Sequence, residues 1–205
     1  MDTIINQAIF SSPTLAEVMT FLDEEDEYWD DVLAIMINKG IVELRHDYIQ
    51  MPTSNVGMHP KIRDNPLFHP FKNAIGAIDG TYIPVVVRKH KQARYRCRKG
   101  LTSQNMMAAC SFDHQFLFVC TGWEGSVADM RVLCWCCESG GFTIPEGKFY
   151  LVDSGYANTD RFLAPYRGVR YHLSQFDGNA RARTHRSPRD LYNHRHAQLR
   201  RPSAY

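Results

Sequence analysis

The chain has 205 residues, 22% of them charged and 44% apolar, a soluble globular balance that excludes disorder, collagen-like repeats and coiled coil. It is long enough for one domain with a small appendage. No apolar run reaches the roughly 18 residues of a membrane span, and residues 1–10 lack the basic start and apolar core of a secretory signal. Neither insertion nor secretion is expected. The six cysteines then read as reduced thiols of a nuclear or cytoplasmic protein. The formal net charge of +2 hides a division: residues 1–78 carry 5 basic and 12 acidic side chains, residues 79–205 carry 19 and 10.

In chain order, Thr14 and Glu17 have capping-box spacing and Leu15, Val18, Met19 and Leu22 share a face, which predicts a helix. A second helix is predicted over residues 28–38, ending at Gly40. The acidic run at residues 23–27 reads as a solvated helix end, because consecutive residues on a helix point in different directions. Residues 1–50 are thus expected to be a short acidic helical segment. Pro52, Pro60, Pro66 and Pro70 make residues 51–72 a Pro-rich, irregular connection that would wrap a domain.

From residue 73 the pattern turns to short apolar strands. Residues 74–78 read as a buried strand stopped by Asp79 and Gly80, and residues 82–87 as a second strand folding back antiparallel on it. Residues 104–112 and 116–122 supply two more. Residues 126–138 predict a helix capped by Ser126, with Asp129 in its first turn and Val127, Met130, Leu133, Cys134 and Cys137 along one side, ending at Gly140 and Gly141. Residues 149–152 form a strand stopped by Asp153, Ser154 and Gly155, and residues 191–201 a basic helix cut off by Pro202. The expected architecture is an α/β sheet domain over residues 73–205.

Two strands end alike, in Ala77-Ile78-Asp79-Gly80 and Leu151-Val152-Asp153-Ser154-Gly155. Ligands of open sheets sit beyond the carboxyl ends of the strands, so aspartates there on neighbouring parallel strands would converge. Close carboxylates repel and are best tolerated around a divalent cation, which with oxygen ligands would be magnesium or manganese. Taken singly, either motif reads more readily as a turn. Arg88, Lys89, Lys91, Arg94, Arg96, Arg98 and Lys99 fall within twelve residues, and a second basic run extends from Arg181 and Arg183 through Arg195 to Arg200 and Arg201. Such clusters face either nucleic-acid phosphates or water.

The stretch from Pro60 to Pro84, Tyr95-Arg96-Cys97-Arg98-Lys99-Gly100, Ser103-Gln104-Asn105, Gly122-Trp123-Glu124-Gly125-Ser126, Asp129-Met130-Arg131-Val132-Leu133, and Asp153-Ser154-Gly155-Tyr156 occur in this order. Together with Ala164 to Gly168 they resemble the PIF/Harbinger family of transposases across roughly residues 50–200. The resemblance implies an RNase H-like mixed sheet flanked by helices, bearing a DDE-type nuclease in which two aspartates and a glutamate hold two metal ions for DNA cleavage. Matched residue by residue, Asp79 would be the first acid and Asp153 the second. Asp129 could ligate metal too, although its place at a helix start accounts for it without chemistry. The third acid is missing, because Ala204 holds its expected position, and neither Asp190 nor Glu146 has the spacing to replace it. The resemblance therefore implies a C-terminally incomplete relative that binds DNA through the basic residues, including Arg195 and Arg200, and cleaves it weakly or not at all. The alternative is a catalytically inactive, domesticated DNA-binding or protein-interaction module. Relatives usually carry a longer helical region with a helix-turn-helix ahead of the nuclease, so the N-terminal segment reads as reduced too; a separate DNA-binding partner protein is a further candidate companion.

Other constellations point to structure. Cys134, Cys136 and Cys137 have no fourth zinc ligand in register and read as a thiol-rich buried helix face. His185, His194 and His196 lie amid arginine and are expected along DNA. Trp123 is expected to pack on the core from a strand end.

Overall fold

The computed structural model describes residues 48–178 and 180–200. The expected N-terminal helices, the acidic run, Arg201, Pro202 and Ala204 lie outside the described residues. The fold lies within residues 51–205, which cluster as one unit. Its sheet has five strands in the order β3-β2-β1-β4-β5: β1 (Ala74–Pro84), β2 (Ser103–Cys110), β3 (Phe116–Glu124), β4 (Phe149–Leu151) and β5 (Phe162–Leu163). β2 is antiparallel to β1 and β3, whereas β1, β4 and β5 run parallel. The result is the mixed α/β sheet expected of an RNase H-like fold.

Helices cover both faces, which is why the strands alternate between two apolar cores. Tyr150 and Val152 point into the first with Ile78, Met107 and Cys120, against Val132, Leu133 and Cys136 of α3 (Asp129–Glu138). Leu151 points into the second with Phe71 and Ile62, against Leu199 of α5 (Pro188–Arg200). Ile62 belongs to α1 (Pro60–Arg63), and Phe68 and Phe71 to a 3₁₀ turn, Pro66–Phe71. His59 and Asn65 cap these two elements, each accepting from a backbone N–H. The proline-punctuated segment therefore contributes buried side chains to the second core.

The expected hairpin at Asp79-Gly80 does not form. β1 continues through both residues and pairs with β2 from Ala77↔Cys110 to Pro84↔Ser103. The glycine answers a packing demand here: a Cβ on Gly80 would lie 2.8 Å from Oδ1 of Asp129. Asp79 is thus interior to β1, although pairing of β1 with β4 ends just before it, at Ala77↔Leu151. Earlier in β1 the register slips between Ala74↔Phe149 and Gly76↔Tyr150, a bulge that places two residues of β1 against one step of β4.

Three further expectations change. α3 begins at Asp129 with Ala128 as N-cap and no side-chain cap, rather than at Ser126. Its buried side is Val132, Leu133 and Cys136, while Cys134 and Cys137 are exposed, so the thiols do not form one buried face. α5 starts at Pro188, ahead of the apolar pattern, because Ser187 Oγ accepts the Asp190 N–H and proline tolerates the first turn. Trp123 does pack on the core edge, its ring 5.5 Å from that of Trp135 at 73°. Among the described residues no helix is long and apolar enough to cross a membrane.

Candidate active site

Two residues beyond the last β1–β4 pair, on strands running the same way, stand Asp79 and Asp153. Adjacent strands lie about 4.8 Å apart, and the bulge-adjusted register, continued two residues, brings both positions to the same level at the carboxyl edge of the parallel strands. Alternation sends Asp79 to the α5 side of the sheet and Gly80 to the α3 side. There the first turn of α3 brings Asp129 against Gly80. β3, antiparallel to β2, points the same way as β1, which is how α3 comes to start at this edge.

Each aspartate is held by its own neighbourhood. Asp79 Oδ1 accepts the Gly80 N–H at 3.0 Å, and Asp153 Oδ1 accepts the Gly155 N–H at 2.7 Å, fixing the turn after β4. Asp129 Oδ1 accepts from Asn105 Nδ2 at 2.7 Å, and the same amide donates to the Val127 carbonyl. Asn105 is buried on β2 and its Oδ1 has no partner among the described residues. All three carboxylates act on one buried group, the Tyr156 hydroxyl. Burial first, then Asp129, Asp153 and Asp79, push its pKa up, and it too has no hydrogen-bond partner among the described residues.

Gly80→Ala tests the contact between β1 and α3. The new methyl group must displace the Asp129 carboxylate, at a cost of about 1–3 kcal/mol. In urea unfolding, Asp129→Ala is expected to absorb most of that cost, so a double-mutant cycle should show strong coupling. Purely additive effects would place the clash elsewhere.

The basic residues divide. Arg88, Lys89, Lys91, Arg94, Arg96, Arg98 and Lys99 are all exposed on the β1–β2 connection, built from the turn Lys89–Lys91, α2 (Gln92–Tyr95) and an Arg96↔Thr102 bridge. Buried Cys97 anchors this excursion, its N–H donating to the Leu101 carbonyl, and Arg94 is ion-paired with Glu124. The excursion begins after Pro84, about 17 Å along β1 from Asp79 at strand rise. Arg195 is half-buried near Gln198. Arg200 stands apart from the exposed set. Its side chain is 13% exposed, and Nη2 lies 3.2 Å from Asp79 Oδ2 while donating to the Ile78 carbonyl at 2.9 Å.

The histidines serve packing. His196 is fully buried, bonded to the Leu163 carbonyl and the Tyr171 hydroxyl, and burial lowers its pKa to about 4. His194 stacks on Phe176 at 4.1 Å and meets His185 at 2.8 Å. Asp190 is buried against Arg170. Asn193 accepts the Tyr166 N–H and donates to the Tyr166 and Arg170 carbonyls, pinning to α5 the loop that borders Asp153.

Residues 78–203 match the DDE superfamily endonuclease family, more than half of the chain, and the chain belongs to that family. Over 131 residues it is 25% identical to a Rattus norvegicus protein named "Putative nuclease HARBI1", a stretch covering 63% of this chain and 38% of the relative. The chain thus spans well under half the length of the curated relative it matches. No solved structure gives a significant match.

Enzymes of this superfamily generally use divalent metal ions. The donor set suits such an ion: Asp79 and Asp153 offer hard oxygen ligands at an open edge, where the Asp79 side chain is 72% exposed. Among the described residues no group of three or more His, Cys, Asp or Glu side chains is gathered for metal binding.

Proposed function

We propose that the chain is a Harbinger-type, transposase-derived endonuclease domain that acts on DNA phosphodiesters with Mg²⁺ or Mn²⁺, and that its cleavage is weak. The observation that carries this reading is that Asp79 and Asp153 each follow the last β1–β4 pair, Ala77↔Leu151, by two residues within the family-matched region. Asp79 and Asp153 would hold the metal, while Asp129, which meets Gly80 from the α3 side of the sheet, is bonded to Asn105. Divalent ions supply the charge that activates an attacking oxygen and stabilises the leaving one. The protein's own contribution is positional. Gly80 and Gly155 N–H groups orient the carboxylates, and the exposed cations of the β1–β2 connection draw the phosphate backbone toward the sheet edge.

The weakness follows from the third acid, since Ala204 occupies the position where the resemblance places glutamate. A DNA substrate and the basic clusters favour a nuclear protein, working with a separate DNA-binding partner.

The testing experiment is nicking of supercoiled plasmid with Mn²⁺. The 205-residue chain is expected to nick slowly, and Asp79→Ala to remove what activity there is. Robust nicking abolished by Asp79→Ala would overturn the proposed impairment and point to Asp129 or another acid as the third ligand. For binding, replacing Lys89, Lys91, Arg98 and Lys99 with Ala is expected to reduce the slope of log affinity against log salt by about 0.9 for each phosphate no longer neutralised. An unchanged slope would make the cluster a solubilising surface.

A further inference from the structure

Arg200 is the last described residue of α5, and its charge is directed inward. Nη2 reaches Asp79 Oδ2 at 3.2 Å and the Ile78 carbonyl at 2.9 Å. With the Gly80 N–H on Oδ1, both oxygens of Asp79 are already engaged. Arg200 and Tyr171 line both the recess that contains Asp79 and the one that contains Asp153. Burial opposes the guanidinium charge, but Asp79, Tyr171 and Asp153 outweigh it and hold the group protonated. The buried Nε of Arg200 has no hydrogen-bond partner among the described residues, so this lodging leaves one donor of a charged group unsatisfied.

We propose that Arg200 is a built-in counter-cation of the aspartate site, competing with the divalent ion for Asp79, so that ion binding requires the guanidinium to withdraw. This rests on the reading of Asp79 and Asp153 as metal ligands. A guanidinium and a dication sharing one carboxylate stand a few ångströms apart, and their repulsion in a half-buried site is several-fold larger than in water. While lodged, the arginine relieves the repulsion between the two aspartates, and the stranded Nε–H lowers the cost of leaving. The guanidinium thus takes the place beside Asp79 that the ion would fill.

The test is Mn²⁺ binding to the full 205-residue chain, measured calorimetrically and by paramagnetic resonance of the free ion. Arg200→Gln is expected to raise Mn²⁺ affinity at least about tenfold, Arg200→Lys to raise it less because it keeps the charge, and Asp79→Asn to lower binding in either background. Should Arg200→Gln fail to fold, the wild-type chain decides. Its ¹⁵N-arginine Nε–H resonance, assigned by loss in Arg200→Lys, is expected to shift saturably with Mg²⁺ and to stay fixed in Asp79→Asn. Equal or weaker Mn²⁺ affinity in Arg200→Gln, or a stationary Arg200 signal while Mg²⁺ binds at Asp79, overturns the competition and leaves the metal-site reading intact. Absence of ion binding in every variant overturns both.

Discussion

Replacing residues 201–205 with a helix-forming segment that carries glutamate four positions after Arg200 is expected to raise Mn²⁺-dependent plasmid nicking by about 10²–10³-fold. Two aspartates can fix one ion, but a second ion needs further oxygen ligands to hold it in register with the first. Loss of one preorganised stabiliser of developing charge commonly costs about 3–4 kcal/mol of barrier, which sets the size of the gain. Carrying glutamine at the same place, the segment should give no increase, and Asp153→Asn should remove it. Equal nicking by the glutamate and glutamine versions would show that the added helix acts through folding and not as a ligand.

Asp190→Ala is expected to destabilise the domain by about 3–5 kcal/mol, the usual cost of stripping one partner from a buried ion pair, and to lower Tm by roughly 10 °C. Asp190 is 1% exposed and bonds the Arg170 guanidinium through both oxygens while accepting the Arg186 N–H at 2.9 Å. Arg170 also donates to the carbonyls of Gln175, Ala182 and Thr184, and covers the Phe176 ring at 4.5 Å. One carboxylate therefore organises the loop that leads into α5. The Arg170 hydrogen bond, against the opposing effect of burial, holds the Asp190 carboxyl below its usual range. The folded state resists protonating this group, so its contribution is complete above about pH 4 and is lost as pH falls through the lower folded value. Unfolding curves of Asp190→Asn should show a shallower acid limb than wild type. A parallel acid limb would mean that another carboxylate governs acid stability.

Apolar residues followed by Asp and Gly single out Asp79 and Asp153 in the sequence, but the reason for the glycine was not legible there. In Asp79-Gly80 the dipeptide looks like a turn locally, and only the arrival of Asp129 from α3, roughly fifty residues later, makes it an in-strand gap. β5 went unread because two residues, Phe162 and Leu163, carry no periodicity. Arg200 read as one more cation in a basic run. The available signal was its spacing from Asn193, His196 and Ala197, which puts it on the buried face of α5. His185, His194 and His196 sit amid arginine in sequence yet serve packing in space, since aromatic neighbours such as Phe176 and Tyr171 arrive from a different segment.

The bulge at the start of β1 turns the site into a matter of counting. Without it, straight pairing onward from Ala74↔Phe149 would carry Ile78, not Asp79, to the level of Asp153 and turn the carboxylate toward the opposite face. Only Ala77 and Ile78 stand between the resumed pairing at Gly76↔Tyr150 and the first acid, and the level and face at which Asp79 emerges hang on that interval. Those two side chains can drift in sequence as long as they remain apolar, whereas a single codon gained or lost between Gly76 and Asp79 would put the carboxylates out of step. Among relatives, divergence between these two positions should therefore accumulate as replacements and not as insertions or deletions.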